Sequence, residues 1–210
     1  MSYISENVEE YLSRLMPIED ELLAKLQQEG IENEVPIIQV PSIRLIQTMI
    51  KLVNPSVIIE VGTAIGFSAI WLAKTTNAVI HTIERDPLMI EKAKENIKRA
   101  GLEKQIILHE GDAREIIPTL PKAELIFIDA AKGKYKTFLE LAFPLLKVGG
   151  IFIFDNVLFR GFVADENILA TKPMLRKLNR FNHFLAAHPK LETSFISIGD
   201  GLAISYKLEE

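Results

Sequence analysis

Apolar and amphipathic segments alternate through the middle of the chain. Short apolar runs predict five strands, at residues 57–61, 79–84, 105–109, 124–129 and 150–155. Segments with a helical period predict helices at residues 67–75, 87–100, 113–118 and 135–146. The strand segments are nearly continuous apolar runs, which is typical of a parallel sheet that helices cover on both faces. The alternating order therefore predicts a doubly wound α/β fold.

The N-terminal quarter lacks this alternation and is predicted to be helical. Residues 5–29 form an acidic amphipathic segment that Gly30 closes. A second helix begins at Pro41 and ends at Val53, with its isoleucines on one face. We therefore expect a helical extension, up to about residue 53, in front of the sheet.

The C-terminal end follows neither pattern. A long helix at about 166–188 precedes two strand-like segments, 192–198 and 202–208, which the Gly199–Gly201 turn joins. Strands joined by so short a turn form an antiparallel hairpin, so the sheet cannot be wholly parallel. A seven-stranded, mostly parallel sheet with an antiparallel C-terminal hairpin is the Rossmann-like topology of class I methyltransferases. A dinucleotide-dependent dehydrogenase would close with another strand–helix unit instead.

Length, charge and cysteine content narrow the class of protein. The chain is expected to form a single domain over residues 1–210. A net charge of −4 argues against coating nucleic acid by charge alone, although a local basic patch is compatible with it. The absence of cysteine excludes disulfides and thiolate metal ligands. With neither an apolar run of about 20 residues nor a secretory signal, we expect a cytoplasmic protein without a membrane partner.

Candidate ligand chemistry begins where the first predicted strand ends. The sequence VIIEVGTAIGFS, residues 57–68, reads as strand, glycine turn and helix, which presents backbone amides to a nucleoside-containing ligand. Gly62 and Gly66 do not form the G-x-G-x-x-G pattern of a pyrophosphate site. Glu60 would repel a pyrophosphate and suits an ammonium group. The turn therefore favours S-adenosylmethionine, which carries an ammonium and a sulfonium.

Polar residues at the next two strand ends extend this site. Glu84 ends the second strand 22 residues after Gly62, where a carboxylate can accept hydrogen bonds from both ribose hydroxyls of a nucleoside. Asp112 and Ala113 follow the third strand, where the backbone could line an adenine. Glu84 by itself suits NAD and S-adenosylmethionine equally. The alternative interpretation is a generic strand–helix turn with incidental acids.

A second acidic group follows the fourth and fifth strands. Asp129 ends one strand, and Asp155 and Asn156 end the other. Because the carboxyl ends of neighbouring parallel strands converge, these oxygens should meet beside the cofactor and suit Mg²⁺. The alternative is that each aspartate caps the N-terminus of a helix. Lys132 near a divalent cation would have a lowered pKa and could take or withhold a proton from a substrate hydroxyl.

Taken together, these motifs resemble one known family. The segments that carry the resemblance are IEVGTAIGFS, the strand end at Glu84, IDAAKGKY, FDNVLFRG and the final GDGLAIS, over about residues 35–207. They are similar to the cation-dependent O-methyltransferases of the catechol and caffeoyl-CoA group. The resemblance implies that Asp129, Asp155 and Asn156 hold Mg²⁺ or another divalent cation. It also places Lys132 at the position of the catalytic lysine, with Asp129 beside it.

The same resemblance implies a set of contacts to S-adenosylmethionine. The glycine turn and Ser68 match the methionine-binding loop, and Glu84 matches the ribose acid. Ala113 matches the adenine contact, and Ile38 matches an N-terminal backbone contact. The expected cofactor-binding residues are Ile38, Glu60, Gly62, Gly66, Ser68, Glu84, Asp112, Ala113 and Asp129.

Within the family, the AAKGKY and NVLFRG segments look most like the bacterial tRNA 5-hydroxyuridine methyltransferases, which methylate the wobble-position base. This implies the tRNA anticodon loop as partner and 5-methoxyuridine as product. A small catechol or phenolic substrate is the alternative, since catechol and 5-hydroxyuridine both offer two adjacent oxygens. A third hypothesis is a module that binds S-adenosylmethionine without catalysis. Relatives are often dimers, so we expect a homodimer.

A basic stretch near the C-terminus bears on the choice of substrate. Its members are Lys172, Arg176, Lys177, Arg180, His183, His188 and Lys190. At helical spacing they could hold phosphates, and Phe159, Arg160 and Phe162 could contact a base extruded from an RNA loop. The alternative is a solvated amphipathic helix. His81 and His109 lie in predicted strands and are interpreted as structural, hydrogen-bonded histidines.

Overall fold

The computed structural model describes residues 6–210 and contains a seven-stranded sheet. Its strands are β1 Val57–Val61, β2 Val79–Glu84, β3 Ile106–Glu110, β4 Ala123–Ile128, β5 Leu146–Phe154, β6 Leu191–Ile196 and β7 Leu202–Lys207. They lie in the order β3-β2-β1-β4-β5-β7-β6, and neighbours are parallel except that β7 runs antiparallel to β5 and β6. The predicted mostly parallel sheet with an antiparallel C-terminal hairpin is confirmed.

Helices cover both faces of this sheet. In chain order they are α1 Glu6–Leu15, α2 Glu21–Glu32, α3 Val40–Val53, α4 Phe67–Thr75, α5 Pro87–Ala100, α6 Ala113–Ile116, α7 Tyr135–Ala142, α8 Glu166–Thr171 and α9 Pro173–Ala186. Ile126 and Ile128 of β4 pack in one core with α7 and α9, whereas Leu125 and Phe127 pack in another with α2, α3 and α4. Successive strand residues face opposite sides, so one continuous apolar run serves two cores. Among residues 6–210, none of the helices is both long and apolar enough to cross a bilayer.

The N-terminal region forms two helices rather than one. α1 ends at Leu15, and α2 begins after Asp20, whose carboxylate accepts a hydrogen bond from the Leu23 backbone N–H at 3.0 Å. Pro17 lies between them and has no N–H with which to continue a helix. The prediction of a single helix over residues 5–29 is wrong for this reason, and its first residue lies outside the described ones.

Three other helices end at residues that differ from the predicted ones. Gly30 does not close α2 but lies inside it, and α2 continues to Glu32. The helix predicted after the third strand stops at Ile116 and continues as a single 3₁₀ turn. The helix predicted after the fourth strand stops at Ala142, because β5 already begins at Leu146.

The long helix predicted at 166–188 is interrupted. α8 ends at Thr171, and α9 begins at Pro173. Lys172 between them has an extended backbone, with φ −114° and ψ 104°, which is the conformation that a residue before proline prefers. Pro173 suits the first position of a helix because that position needs no N–H donor. The break frees α9 to pack along the sheet independently of α8.

The C-terminal hairpin carries a buried lysine. Lys207 is fully buried, and its Nζ donates hydrogen bonds to the backbone oxygens of Phe143 at 3.1 Å and Leu146 at 2.8 Å. The Glu210 carboxylate, 3.1 Å away, accepts a third. The ammonium also lies 4.4 Å from the centroid of the Phe143 ring. These contacts tie β7 to the start of β5, the strand that leads to Asp155.

We predict that Lys207→Met lowers the free energy of unfolding by about 2 kcal/mol, because two buried carbonyl groups lose their donor. Urea unfolding followed by circular dichroism measures this loss. Lys122→Met is the matched control, since Lys122 also pairs with Glu210 but is largely exposed. We expect the control to lose no more than about 0.5 kcal/mol. Equal losses in the two variants would contradict a structural role for the buried ammonium.

Candidate functional site

A cleft of about 400 Å³ opens at the carboxyl ends of β1, β2, β4 and β5. It lies where the strand order reverses on either side of β1, which is the point where open α/β sheets bind their ligands. The predicted residues on its wall are Ile38, Gly62, Ser68, Glu84, Asp112, Ala113, Asp129, Lys132, Asp155 and Asn156. The other two predicted residues, Glu60 and Gly66, lie behind that wall.

The glycine turn is shaped by two close backbone approaches. Gly62 has φ +106°, and a Cβ atom on it would lie 2.0 Å from the backbone oxygen of Asp129. Gly66 has φ +86° and begins α4, and its N–H donates to the Thr63 backbone oxygen at 2.8 Å. Gly66 is buried against α5 and therefore shapes the turn without facing the cleft. Ser68, one residue into α4, does line the cleft.

Three backbone amides hold the Glu84 carboxylate in place. Its Oε2 accepts a hydrogen bond from the Ala64 N–H at 2.8 Å, and its Oε1 accepts from Arg85 at 2.8 Å and Asp86 at 3.0 Å. The carboxylate is thus oriented before any ligand arrives, with one edge on the cleft wall. A carboxylate oriented in this way on the cleft wall is compatible with the predicted role of Glu84 as the ribose acid.

The wall near β3 and the segment before α3 complete this half of the cleft. The Asp112 carboxylate caps α6 and pairs with Arg114 at 2.6 Å, and that guanidinium holds the pKa of Asp112 well below its usual range. Because the side chain is engaged in this way, the backbone of Asp112 and the Ala113 side chain are what a ligand can contact. Ile38 lies on the facing wall, with Val35 to Ile37 beside it. The contribution of that preceding segment was missed by the sequence prediction.

Glu60 lies beneath the glycine turn, which differs from the direct ligand contact that we predicted. Its side chain is fully buried. Its Oε2 accepts a hydrogen bond from Thr82 Oγ1 at 2.5 Å, and Thr82 is in turn 2.5 Å from the hydroxyl of Thr63 on the cleft wall. Among the described residues, Oε1 has no partner. Desolvation raises the pKa of Glu60 to about 7, against the opposing effect of the neighbouring Ser68 and Thr82 hydroxyls.

Asp129, Asp155 and Asn156 meet at the β4–β5 end of the cleft. Asp155 is 2% exposed, and burial together with the nearby charge of Asp129 raises its pKa to about 8. Lys132 Nζ donates to Asp129 Oδ1 at 3.0 Å. Two carboxylates that repel each other, with an amide oxygen alongside, form a hard oxygen set that fits a divalent cation. Residues 6–210 contain no group of three or more His, Cys, Asp or Glu suited to a metal, so this set depends on the Asn156 amide.

The alternative role as helix caps does not apply to these aspartates. The 3₁₀ turn after Asp129 begins at Lys132 without a side-chain cap, and Asp155 accepts a hydrogen bond from its neighbour Asn156 at 2.7 Å. Asp112, by contrast, is a helix cap. The two acids at the β4 and β5 ends are therefore left to face the cleft.

Tyr135 is a site residue that the sequence prediction missed. It is fully buried, and its hydroxyl donates a hydrogen bond to the backbone oxygen of Asp155 at 2.7 Å. Burial raises the pKa of Tyr135 well above its ordinary value, so it remains a neutral donor. The available signal was its position six residues after Asp129 at the start of a helix, which by itself does not distinguish it from a core aromatic.

The basic stretch predicted near the C-terminus divides into two parts. Arg176 donates to the backbone oxygens of Leu169 and Ala170 at 3.0 and 2.7 Å, and His188 packs against the rings of Phe143 and Phe184. Lys190 pairs with the C-terminal Glu209 and Glu210. These three residues are structural. Lys172, Lys177, Arg180 and His183 are exposed on α9 or at its start.

The predicted structural role of the two strand histidines is confirmed. Nδ1 of His81 lies 3.0 Å from Nε2 of His109 on the neighbouring strand, within hydrogen-bonding distance. Burial lowers the pKa of each ring, and His109 lowers that of His81 further.

We predict that Glu60→Gln raises stability at pH 8 but not at pH 5. Because the pKa of Glu60 rises from 4.5 in the unfolded chain to about 7 in the folded protein, the folded state holds more protons between these values. The free energy of unfolding therefore decreases by about 3 kcal/mol as the pH rises through this window. Glutamine does not ionise, so the variant should not show this decrease. Urea unfolding of the cofactor-free protein at both pH values measures it.

Glu124→Gln is the control for this experiment. Burial would raise the pKa of Glu124, but hydrogen bonds from Lys147, Val57 and Ser56 outweigh burial and lower it to about 2. Its pH window lies below 4.5, so the control should lose the same stability at pH 5 and pH 8. A constant difference between Glu60→Gln and the wild type would contradict the prediction.

Comparison with known proteins identifies the family to which the chain belongs. A family model described as O-methyltransferase matches residues 13–208. A catechol O-methyltransferase of Niastella koreensis is 33% identical over 96% of this chain and 97% of its own. The crystal structure of a Staphylococcus aureus protein provisionally named caffeoyl-CoA O-methyltransferase is 37% identical, with a TM-score of 0.91 over 96% of this chain and all of that one. The Streptomyces achromogenes O-methyltransferase TomG, solved with S-adenosylmethionine, is 27% identical with a TM-score of 0.84, over 97% of this chain and 96% of its own. The chain therefore belongs to the O-methyltransferase family.

Proposed function

We propose that the chain, an S-adenosylmethionine-dependent O-methyltransferase, requires a divalent cation and methylates one of two adjacent oxygens on its substrate. The observation that carries this proposal is the convergence of Asp129, Lys132, Asp155 and Asn156 at one end of the cleft. Glu84 lies on the same wall towards β2, at the place proposed for the ribose. A donor site and an acceptor site therefore share one cavity.

The cofactor contacts follow from the positions of the wall residues. Glu84 would accept hydrogen bonds from the ribose hydroxyls, and the backbone at Asp112 and Ala113 would border the adenine. Gly62 and Ser68 would border the methionine portion, whose ammonium Asp129 can also reach. Glu60 would act on this portion indirectly, through Thr82 and Thr63 and through its neighbour Ser68. The related TomG structure contains bound S-adenosylmethionine, which supports the choice of this cofactor.

Asp129, Asp155 and Asn156 would hold the cation. When bound, a divalent cation can bring two neighbouring substrate oxygens together and favour the ionised form of a hydroxyl. Tyr135 fixes the backbone of Asp155 through its 2.7 Å hydrogen bond, which orients the carboxylate towards the cleft. The role of these residues is therefore to position the acceptor.

Lys132 is the proposed residue for moving the substrate proton. Its ammonium lies 3.0 Å from Asp129 and its side chain is 19% exposed, so it faces the cleft rather than bulk solvent. Methyl transfer from a sulfonium to an oxyanion turns two charged reactants into neutral products. Since charge disappears along the reaction, positioning and deprotonation of the acceptor contribute more than stabilisation of a new charge.

We predict that Asp155→Ala lowers kcat/KM at least about a hundredfold while leaving S-adenosylmethionine affinity unchanged. Methyl transfer to a catechol with labelled cofactor measures the first quantity, and isothermal titration measures the second. Asp165→Ala is the control, because Asp165 is an exposed cap of α8 outside the cleft. Full activity of Asp155→Ala in the presence of EDTA would reject the cation-dependent mechanism.

A small catechol or phenolic compound is the substrate that the relatives favour. The Niastella koreensis relative is named a catechol O-methyltransferase, and the Staphylococcus aureus protein carries a caffeoyl-CoA O-methyltransferase name. A catechol presents two adjacent oxygens on one ring, which matches the proposed cation end. We therefore propose this substrate class first.

Transfer RNA with 5-hydroxyuridine at the wobble position is the second candidate, and a surface feature favours it. Four exposed residues, Lys134, Lys136, Lys177 and Arg180, form what we call the basic rim. Lys134 lines the cleft, and the Lys177 side chain packs at Gly133. Arg180 lies one helical turn beyond Lys177 on the same side of α9, and Phe184 lies one turn further on that side. Lys136 Nζ is 4.7 Å from the centroid of the Phe184 ring. Such a rim could hold phosphates next to a base in the cleft.

We predict that the double variant Lys177→Glu/Arg180→Glu lowers methylation of tRNA at least about tenfold and affects methylation of a small catechol much less. Mass spectrometry of nucleosides measures 5-methoxyuridine in 5-hydroxyuridine-containing tRNA after incubation with the protein. Lys25→Glu/Lys51→Glu carries the same charge change on α2 and α3 and serves as control. Wild-type protein that forms no 5-methoxyuridine but turns over catechol would exclude the RNA substrate.

A further inference from the structure

The loop that follows β5 is held in an unfavourable backbone conformation. Asn156, Phe159 and Arg160 have φ values of 57°, 45° and 56°, although none of them is glycine. Residues with side chains adopt this region at an energetic cost, which is smallest for asparagine, and they keep it where their surroundings enforce it. Asn156 is also the proposed amide ligand of the cation, so its position depends on whatever enforces this conformation.

The Gly199–Gly201 turn of the C-terminal hairpin supplies that enforcement. The N–H of Val157 donates to the Gly201 backbone oxygen at 3.0 Å. The N–H groups of Leu158 and Phe159 both donate to the Asp200 oxygen, at 2.9 and 3.1 Å. Three consecutive amides directly after Asn156 are therefore bound to two consecutive carbonyls of one turn.

The turn also fits the loop sterically. Gly201 has φ +86°, and a Cβ atom on it would lie 2.3 Å from Cγ and 2.7 Å from Cβ of Leu158. On the other side, a Cβ atom on Gly199 would lie 2.5 Å from the Ser42 hydroxyl and 3.1 Å from Gln39 Oε1. The turn is thus enclosed between the start of α3 and the loop after β5. Neither side has room for a methyl group without displacement.

We propose that the Gly199–Gly201 turn is a positioning element that sets the location of Asn156, and that Gly201 is required for cation affinity. This inference rests on the proposed cation site. The turn acts through the backbone of residues 157–159 and touches no substrate itself. Tyr135 holds the backbone oxygen of Asp155, so both proposed ligands after β5 are fixed through backbone hydrogen bonds.

The test is the affinity of the folded protein for Mn²⁺, measured by electron paramagnetic resonance, with S-adenosylhomocysteine binding by titration as the check on the fold. Gly201→Ala should weaken Mn²⁺ binding at least about tenfold and leave S-adenosylhomocysteine affinity unchanged. In turnover assays, the KM for the cation should rise more than kcat falls. Gly101→Ala is the matched control, because Gly101 also has positive φ, at +67°, but a Cβ there meets nothing within 4 Å.

Two further variants keep the test decisive. Gly201→Ala/Leu158→Ala removes Cγ and Cδ1 of Leu158, two of the three atoms that the added methyl group would meet, and should recover part of the lost Mn²⁺ affinity. If Gly201→Ala does not fold, Leu158→Ala alone should weaken Mn²⁺ binding, since it removes the side chain that packs on the turn.

The outcomes separate this inference from the proposed function. Wild-type protein that binds Mn²⁺ no better than Asp155→Ala would overturn the cation site and this inference with it. A different result would overturn this inference alone. In that case the wild type binds Mn²⁺ tightly and Asp155→Ala does not, but Gly201→Ala binds Mn²⁺ as tightly as Gly101→Ala. If Gly201→Ala does not fold, an unchanged Mn²⁺ affinity in Leu158→Ala would also overturn this inference.

Discussion

The close approach of two backbone segments, at Gly62 and Asp129, determines the geometry of the rest of the site. A Cβ atom on Gly62 would lie 2.0 Å from the Asp129 oxygen, so a residue with a side chain cannot occupy this position without moving β1 from β4. The Asp129 N–H donates to the Val61 oxygen at 3.0 Å, which continues the strand pairing past the end of β4. The distance between the glycine turn and Asp129, the first acidic residue of the proposed cation site, is therefore fixed. Methyl transfer needs such a fixed separation, because donor and acceptor react only when they are aligned.

Bringing strand ends together in this way concentrates negative charge. Glu84, Asp129 and Asp155 line one cleft, and Glu60 lies just beneath it. Burial raises the pKa of Glu60 to about 7 and that of Asp155 to about 8, so the fold pays for holding both groups out of water. The proposed ligands, a sulfonium with an ammonium and a divalent cation, all carry positive charge. Ligands that bind only the folded protein stabilise it, so the proposed cation would offset the cost of burying Asp155.

Sequence patterns predicted the sheet well and the helix ends poorly, for physical reasons that differ. The strands of a covered parallel sheet are apolar on both faces, and β4 at 123–128 is an unambiguous run of this kind. The helix breaks at Pro17 and Pro173 could have been predicted, because proline has no N–H donor. They were missed because the sequence on both sides of each proline has the same amphipathic periodicity. Glu60 could have been placed by strand parity, since it faces the same side as Ile58 beneath α4. The burial of Lys207 and the backbone strain at Asn156 depend on segments distant in sequence, and no local pattern indicates them.

The chemistry and the choice of substrate are carried by different parts of the molecule. The proposed catalytic groups stand at the ends of β4 and β5, whose positions are fixed by pairing with β1 and β7. The basic rim lies on α9, on the turn before α7 and on the first turn of α7, and both helices pack against the sheet from one face. A change of surface charge on α9 leaves the strand register untouched, because Leu175, Leu178 and Phe181 anchor that helix from its buried side. A change in the surface of α9 can therefore alter which acceptor is bound without altering the reaction at the strand ends.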